Sequence, residues 1–259
     1  ELLLASTAIG FGLGWRLPRG LCEWTAAHGI ELDRWASLIA PFFNQRGAFP
    51  TITTVIDNFN RANEDPLGNG NWATTHTLGA TNKLKLVTNA AVGQGAASDS
   101  DSWWSAATFG ADIEFYAVTA AAADHFRVFA RLQAAGTTGC DGYEVLWVNG
   151  SGLGMYRIDN AAETQQGATY GDTGLSAGDA IGIEIIGTGA TAISMYQRTA
   201  GTWNNRGSSS GATYTAAGNT GLAIDGSAGI LDDFTGGTLG GAGGLSIPVA
   251  MRQYRARWA

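Results

Sequence analysis

Apolar and polar side chains alternate in four stretches of the middle of the chain, at residues 113–117, 126–132, 143–147 and 181–185. A period of two is typical of β-strands that bury one face. Glycine-containing turns separate these stretches, at residues 137–142, 149–152, 177–179 and 187–189. The pattern predicts an all-β body of antiparallel strands arranged as a sandwich or jelly roll.

The two ends of the chain have different patterns. Residues 31–40 place apolar side chains at helical spacing before Pro41, and residues 21–28 predict a second short helix. The glycine-rich stretch 236–244 is expected to be a flexible linker. We therefore expect a partly helical N-terminal arm (1–50), a sandwich (51–237), and a glycine linker with a C-terminal tail (238–259).

Composition and charge narrow the possible functions. Nine Trp, ten Phe and seven Tyr can supply a sizeable core, which excludes a fully disordered chain. The formal net charge is −7 and there are only two lysines, which argues against a nucleic-acid binder. No apolar run reaches the roughly 20 residues that span a bilayer, so we expect no membrane partner. The two cysteines, Cys22 and Cys140, can form at most one disulfide.

Four segments carry a family resemblance, and they occur in the order 57–63 (DNFNRAN), 142–145 (GYEV), 178–184 (GDAIGIE) and 232–237 (DDFTGG). Together they resemble the concanavalin A-like, or laminin-G-like, jelly-roll domains found in bacteriophage virion proteins and bacterial surface proteins. The resemblance covers about residues 55–237. It implies an antiparallel jelly-roll β-sandwich whose first and last strands are neighbours. Because this fold hosts lectins, glycanases and structural modules, the resemblance leaves the function open.

The sequence does not predict a catalytic site. Retaining glycanases of this fold carry a Glu-x-Asp-x-x-Glu strand, and the nearest segment, Asp112-Ile113-Glu114, lacks the third acid. We expect that segment to be a solvent-facing edge of an acidic sandwich. Residues 207–211 (GSSSG) match the nucleophile-elbow pattern but are expected to form a serine-rich loop. We therefore predict that the protein is not an enzyme.

Two kinds of ligand are considered. A glycan site would need exposed aromatic faces and polar groups that bind hydroxyls, and the candidates are Trp103, Trp104, Trp203, Asn204 and Asp172. The alternative is that these aromatic side chains fill the core. Asp99 and Asp101, in an apparent loop before Trp103, are a weak calcium candidate, and a solvated acidic turn is the competing interpretation. No other cofactor is expected.

Apolar, aromatic and arginine side chains are concentrated in the two ends. Such residues are typical of protein interfaces. The interface candidates are Trp15, Trp24, Trp35, Phe42, Phe43, Arg252, Tyr254, Arg255 and Trp258. A phosphate-binding tail is the competing interpretation for the arginines.

The leading hypothesis is a non-catalytic structural protein of a phage particle, either a capsid decoration or a tail-associated protein. Its jelly roll would face outward, and its ends would bind other virion proteins and its own copies on the particle surface. The alternative is a lectin-like carbohydrate-binding module for host or environmental glycans, located outside the cell or on a bacterial surface.

Overall fold

The computed structural model describes residues 48–73, 82–95, 99–121, 125–171, 174–187, 192–209 and 213–240. The chain divides at Thr51 into two units, and every described strand belongs to the second unit, from Ile52 onward. None of the described segments forms a helix that is long and apolar enough to cross a bilayer. The predicted N-terminal helices and all nine interface candidates lie outside the described residues.

Sixteen strands form in the described part of the chain. The first eight are β1 (Val55–Asp57), β2 (Trp72–Ala73), β3 (Asn82–Lys83), β4 (Lys85–Val87), β5 (Ala90–Val92), β6 (Asp99–Trp104), β7 (Ile113–Ala121) and β8 (His125–Gln133). The others are β9 (Asp141–Val148), β10 (Gly152–Asp159), β11 (Ala162–Gln165), β12 (Ala180–Ile185), β13 (Ile193–Thr199), β14 (Thr202–Ser209), β15 (Asn219–Asp225) and β16 (Ile230–Thr238).

The strands form two sheets. Sheet A has the order β14-β13-β12-β7-β16-β5-β4, with β1 added beside β16. Sheet B has the order β11-β10-β9-β8-β15-β6-β2, with β3 added beside β6. All pairings are antiparallel except that of β3 with β6. The all-β sandwich expected from the alternation is confirmed.

The core lies between the two sheets and follows the predicted period of two. Phe115 of β7 and Ile183 of β12 enter it from sheet A, and Phe126 of β8 and Val145 of β9 enter it from sheet B. Each is fully buried, and their sequence neighbours point to the outer faces. Burial of these side chains is the main force that holds the layers together.

The first and last strands are neighbours, as the resemblance implies. Val55 of β1 lies opposite Thr235 of β16, and Asp57 lies opposite Phe234. The Asp57 carboxylate accepts a hydrogen bond from the Trp72 indole Nε1 at 2.6 Å and is paired with Arg61 at 2.7 Å. The start of the sandwich is therefore fixed to its last strand by backbone pairing, and the Asp57 side chain connects it to Trp72 of β2 in sheet B.

Three segments that were predicted to be loops lie in strands. Residues 99–102 belong to β6, which pairs with β15, and residues 207–209 belong to β14. Residues 236–238, the start of the predicted linker, pair with β7 at the end of β16. Serine, aspartate and glycine have low intrinsic strand propensity, but pairing with neighbouring strands outweighs that preference here.

A second, smaller apolar cluster lies on the outer face of sheet B. Its buried members are Phe129, Leu132, Cys140, Ile158 and Ala223, and Trp103 packs against them. Burial raises the pKa of the free Cys140 thiol to about 12, so this cysteine is not a reactive thiolate at neutral pH.

Candidate functional site

Charged side chains lie on the outer face of sheet B, at the positions of β8 and β9 that alternate with core residues. Arg127 stands between the core residues Phe126 and Val128 of β8, and Glu144 stands between Tyr143 and Val145 of β9. Because successive side chains of a strand point to opposite faces, Arg127 and Glu144 must project away from the core. Their strands are paired, so the two side chains meet on the same face.

Arg127 is the centre of a charged group that we call the Arg127 cluster: Arg127, Asp99, Glu144, Glu163 and Asp225. Its Nη1 atom donates to Asp99 Oδ2 at 2.7 Å and lies 3.7 Å from Glu163 Oε1. Its Nη2 atom lies 3.5 Å from Asp225 Oδ2, and its Nε atom lies 3.7 Å from Glu144 Oε2. One guanidinium is thus surrounded by four carboxyl groups from four other strands.

The outer face of sheet B is concave at this cluster. Asp99 is on β6 and Glu163 is on β11, with four strands between them. In a flat sheet these two strands would be about 24 Å apart, because neighbouring strands lie about 4.8 Å apart. Yet oxygen atoms of both side chains lie within 3.7 Å of the same nitrogen atom of Arg127. The β10–β11 hairpin must therefore curve over the face and bring Glu163 above its centre.

The cluster is buried at its base and open at its rim. The Glu144 side chain is 0% exposed and that of Arg127 is 9% exposed, whereas those of Asp99 and Glu163 are 38% and 29% exposed. Both carboxyl oxygens of Glu144, Nε of Arg127 and Oδ1 of Asp225 are buried without a hydrogen-bond partner. Such unpaired buried groups are rare in proteins and cost free energy, so the cluster has an incomplete hydrogen-bond network.

Crowding of the carboxyl groups changes their affinity for protons. Burial raises the pKa of Glu144 well above its usual range, against the opposing effect of Arg127. Burial and a hydrogen bond with Asp99 raise the pKa of Asp225 to about 8. Burial opposes ionisation of Asp99 as well, but the hydrogen bond with Asp225 and the charge of Arg127 lower its pKa. Asp99 and Asp225 thus share one proton near neutral pH.

Aromatic and imidazole side chains border the cluster. The half-buried ring of Tyr156 lies over Gly154, where an added Cβ would be 2.9 Å from the ring atom Cε2. The Nδ1 atom of His125 lies 3.2 Å from Asp225 Oδ2. The absence of a side chain at Gly154 therefore gives Tyr156 the room to lie flat beside the charged groups.

The predicted calcium site at Asp99 and Asp101 can be compared with this geometry. Both residues lie on β6 and project from the same face, but Asp101 is buried and Asp99 is paired with Arg127. The described residues include no group of three or more His, Cys, Asp or Glu side chains placed to hold a metal ion. Calcium takes six to eight oxygen ligands, which two carboxylates on one strand do not provide. These two carboxylates alone do not complete a calcium site, and calcium binding stays a prediction.

Four of the five predicted glycan-binding residues are described by the structure, and these four do not lie together. Trp103 packs on the apolar cluster of the outer face of sheet B, whereas Trp104 points inward and meets Trp72 edge to face at 5.4 Å. Trp203 and Asn204 lie on β14, at the edge of the other sheet. Asp172 lies outside the described residues. Of the four candidates that the structure describes, only Trp103 is on the same face as the Arg127 cluster.

The Asp112–Glu114 segment is not the solvent-facing edge that the sequence predicted. Glu114 lies on the outer face of sheet A, where its carboxyl group is fully buried and accepts a hydrogen bond from the backbone N–H of Ile52. Asp112 instead accepts a hydrogen bond from the N–H of Gly187 at 2.8 Å. The chain that leads into β1 covers Glu114, which the alternation of β7 alone did not reveal.

Sequence analysis did not predict the Arg127 cluster: of its members it singled out only Asp99, as a calcium candidate. One signal was available: a charged side chain flanked by core residues appears in both β8 and β9. The contributions of Asp225 and Glu163 could not be found this way, because they depend on which strands become neighbours.

Comparison with known proteins gives the fold. A scan against protein-family models and a search of curated proteins each found no match. Among solved structures, the carbohydrate binding module CBM66 from Bacillus subtilis has a TM-score of 0.50 and 13% identity, covering 64% of this chain and 95% of that chain. The fold is a concanavalin A-like jelly roll.

Two other jelly-roll domains among the solved structures have TM-scores below 0.50. The exoplasmic/lumenal domain of VIP36, in its Ca²⁺/Man-bound form, has a TM-score of 0.47 and 9% identity, covering 65% of this chain and 83% of that chain. The potassium-bound carbohydrate recognition domain of Emp46p has a TM-score of 0.46 and 8% identity, covering 70% of this chain and 95% of that chain. These jelly rolls are carbohydrate-binding domains, and at such low identity the likeness concerns the fold alone.

Proposed function

We propose that this protein is a non-catalytic carbohydrate-binding module whose ligand binds on the concave outer face of sheet B. The observation that carries the proposal is the Arg127 cluster, which has buried polar atoms without partners beneath a partly exposed rim. A sugar presents hydroxyl groups that donate and accept hydrogen bonds, so it can satisfy a carboxylate and a guanidinium together. The carbohydrate-binding role of CBM66, which has the same fold, agrees with this proposal.

The aromatic border supports the same ligand class. Sugar rings have apolar faces that stack on aromatic side chains, and Tyr156 lies beside the charged groups of the cluster. An aromatic face next to directional polar groups is the usual composition of a small-molecule site.

The spacing of the acids favours binding over catalysis. Glycoside hydrolases use two carboxyl groups about 5 Å or more apart, with the sugar between them. Here Asp99 and Asp225 share a direct hydrogen bond, and Arg127 is in contact with both. This arrangement has no space between the two acids for the scissile bond of a substrate.

A glycan-binding measurement with two aromatic variants tests the proposal. Glycan-array screening should identify a ligand, and Tyr156→Ala should weaken its binding roughly tenfold, because a stacking face of about 1–2 kcal/mol is lost. The matched control is Trp203→Ala, which removes an aromatic side chain from sheet A, where it meets Tyr116 edge to face at 5.2 Å. Absence of binding to every glycan would refute the function, and equal losses in both variants would refute the assigned face.

The virion hypothesis stays a prediction. It depends on the two end segments, which lie outside the described residues, and on a resemblance that extends to the fold alone. The alternative location, outside the cell or on a bacterial surface, fits a glycan-binding module and is proposed with it.

A further inference from the structure

The Arg127 cluster contains more acid than base, and this surplus suggests a narrower ligand class than glycans in general. This step rests on the proposed function. Around the one guanidinium stand the carboxyl groups of Asp99, Glu144, Glu163 and Asp225, and the residues beside them are His125, Tyr156 and Asp101. We infer that the site binds glycans that carry a protonated amine, such as glucosamine units, in preference to neutral or acidic glycans.

Two observations, independent of the number of acids, indicate a ligand at this position. Glu144 is fully buried, and both of its carboxyl oxygens lack a hydrogen-bond partner while the side chain faces Arg127. The face is also concave, since Glu163 curves over it from the edge hairpin and approaches Asp99 across four strands. The partly exposed acids Asp99 and Glu163 therefore form the rim of a recess, and beneath them lies the buried Glu144 with an incomplete hydrogen-bond network.

The chemistry of the recess matches an ammonium group better than it matches a calcium ion or an acidic sugar. An ammonium has three donors and no acceptor, so carboxylate oxygens are its natural partners. It needs only a few oxygens at hydrogen-bond distance, whereas calcium requires six to eight at about 2.4 Å. A uronic acid or a sulfated sugar would add a negative charge beside Asp99 and Glu163, which like-charge repulsion disfavours.

A bound ammonium group can replace the proton that Asp225 holds in the empty cluster. The raised pKa of Asp225 means that the empty cluster retains a proton near neutral pH, because its acids outnumber its bases. When an ammonium enters, that proton can leave to solvent, and the ammonium takes its place as the hydrogen-bond donor. Binding should then be accompanied by proton release and should weaken as salt screens the charges.

The experiment uses three oligosaccharides with the same β-1,4-linked backbone. They differ only at carbon 2 of each sugar, which bears a hydroxyl group in cello-oligosaccharides, an acetamido group in chitin oligosaccharides and an ammonium in glucosamine oligosaccharides. Calorimetric titration of the full chain at pH 6.5 should give an affinity for the glucosamine oligomer roughly tenfold above those for the other two. Oligogalacturonate should not bind.

Two variants, each of which removes one negative charge, test whether the cluster itself binds the ammonium groups. The alternative is that the whole acidic protein attracts the cationic oligomer. Glu163→Gln removes a rim carboxylate and should abolish most of the tenfold preference for the glucosamine oligomer over the other two oligomers. Asp233→Asn removes a carboxylate from β16 in sheet A and should leave the preference intact.

The outcomes are distinguishable. Equal or tighter binding of the hydroxyl or acetamido oligomer would overturn this inference and leave the glycan-binding function standing. An equal loss of preference in both variants would also overturn it, because attraction would then be non-local. If neither these oligosaccharides nor any glycan of the array binds, the proposed function fails, and this inference fails with it.

Discussion

Asp99 and Asp225 have the same side chain, but the pKa of Asp99 is lowered and the pKa of Asp225 is raised, because their surroundings differ. Asp99 is closer to the Arg127 guanidinium, at 2.7 Å, and is the more exposed of the two. Asp225 is farther from Arg127, at 3.5 Å, and its hydrogen bond with Asp99 favours the protonated form. The proton affinity of each aspartate is therefore set by its burial, by its distance from Arg127 and by the hydrogen bond between the two.

The proton on Asp225 makes stability depend on pH. The raised pKa of Asp225, about 8, means that the native state keeps a proton that the unfolded chain has already lost above pH 4. Unfolding therefore releases a proton between pH 4 and 8, and the free energy of unfolding should decrease as pH rises through this window.

Asp225→Asn cannot ionise and should flatten this dependence. Between pH 5 and 8 we expect the wild-type protein to lose roughly 2 kcal/mol more than the variant, a figure reduced for solvent screening. Urea denaturation at the two pH values measures this difference. Parallel losses in the two proteins would show that Asp225 does not hold the proton.

Single residues were partly predictable from the sequence. The alternation in β8 and β9 predicted strands with one buried face, and the structure places Arg127 and Glu144 on the other face. The alternation could not reveal that Asp225 and Glu163 join them, since those contacts arise from strand order and from the curvature of the β10–β11 hairpin. It also could not show that Ile52 covers Glu114.

At the scale of elements, the end of β16 differs most from expectation. Gly236 has a φ of +145°, and an added Cβ would lie 2.2 Å from the backbone oxygen of Glu114 and 2.6 Å from the Phe115 ring. Glycine is present here because two strands approach closely, not because the chain is flexible.

Gly236→Ala distinguishes a strand from a linker. We expect a loss of about 3 kcal/mol or more in the free energy of unfolding, because backbone and a buried ring would have to move. Gly171→Ala is the matched control, since no atom lies within 4 Å of its added Cβ. Chemical denaturation of both variants measures the difference, and an unchanged Gly236→Ala protein would support the linker prediction.

Strands with clear alternation were the predictable elements. β7, β8, β9 and β12 follow it, and each supplies alternate residues to the core. β6 was missed because its sequence, DSDSWW, contains few strand-forming residues before the tryptophans. Its conformation is imposed by pairing with β15 on one side and with β2 on the other.

On the scale of the whole molecule, one buried arginine connects distant parts of the chain. Arg131 is fully buried and donates hydrogen bonds to the backbone carbonyls of Ala111, Gly187 and Tyr214, at 2.5, 3.2 and 3.0 Å. These three segments precede β7, follow β12 and precede β15. The side chain thus joins loops from both sheets at one end of the sandwich.

Arg131→Gln should be strongly destabilising, because the shorter amide leaves buried carbonyls unpaired. We expect a loss of about 3 kcal/mol, which corresponds to a decrease of roughly 6–12 °C in Tm for a domain of this size. Arg157→Gln is the control, since that arginine forms a partly exposed pair with Asp159 and should change Tm by no more than a few degrees. Similar Tm values for the two variants would contradict this role for Arg131.

The chain enters and leaves the sandwich on the same layer. β1 and β16 are paired in sheet A, and Ile52 crosses the outer face of that sheet. The Arg127 cluster is on the opposite layer. Ile52 and the end of β16 at Thr238 therefore both belong to the layer of the sandwich that does not carry the recess.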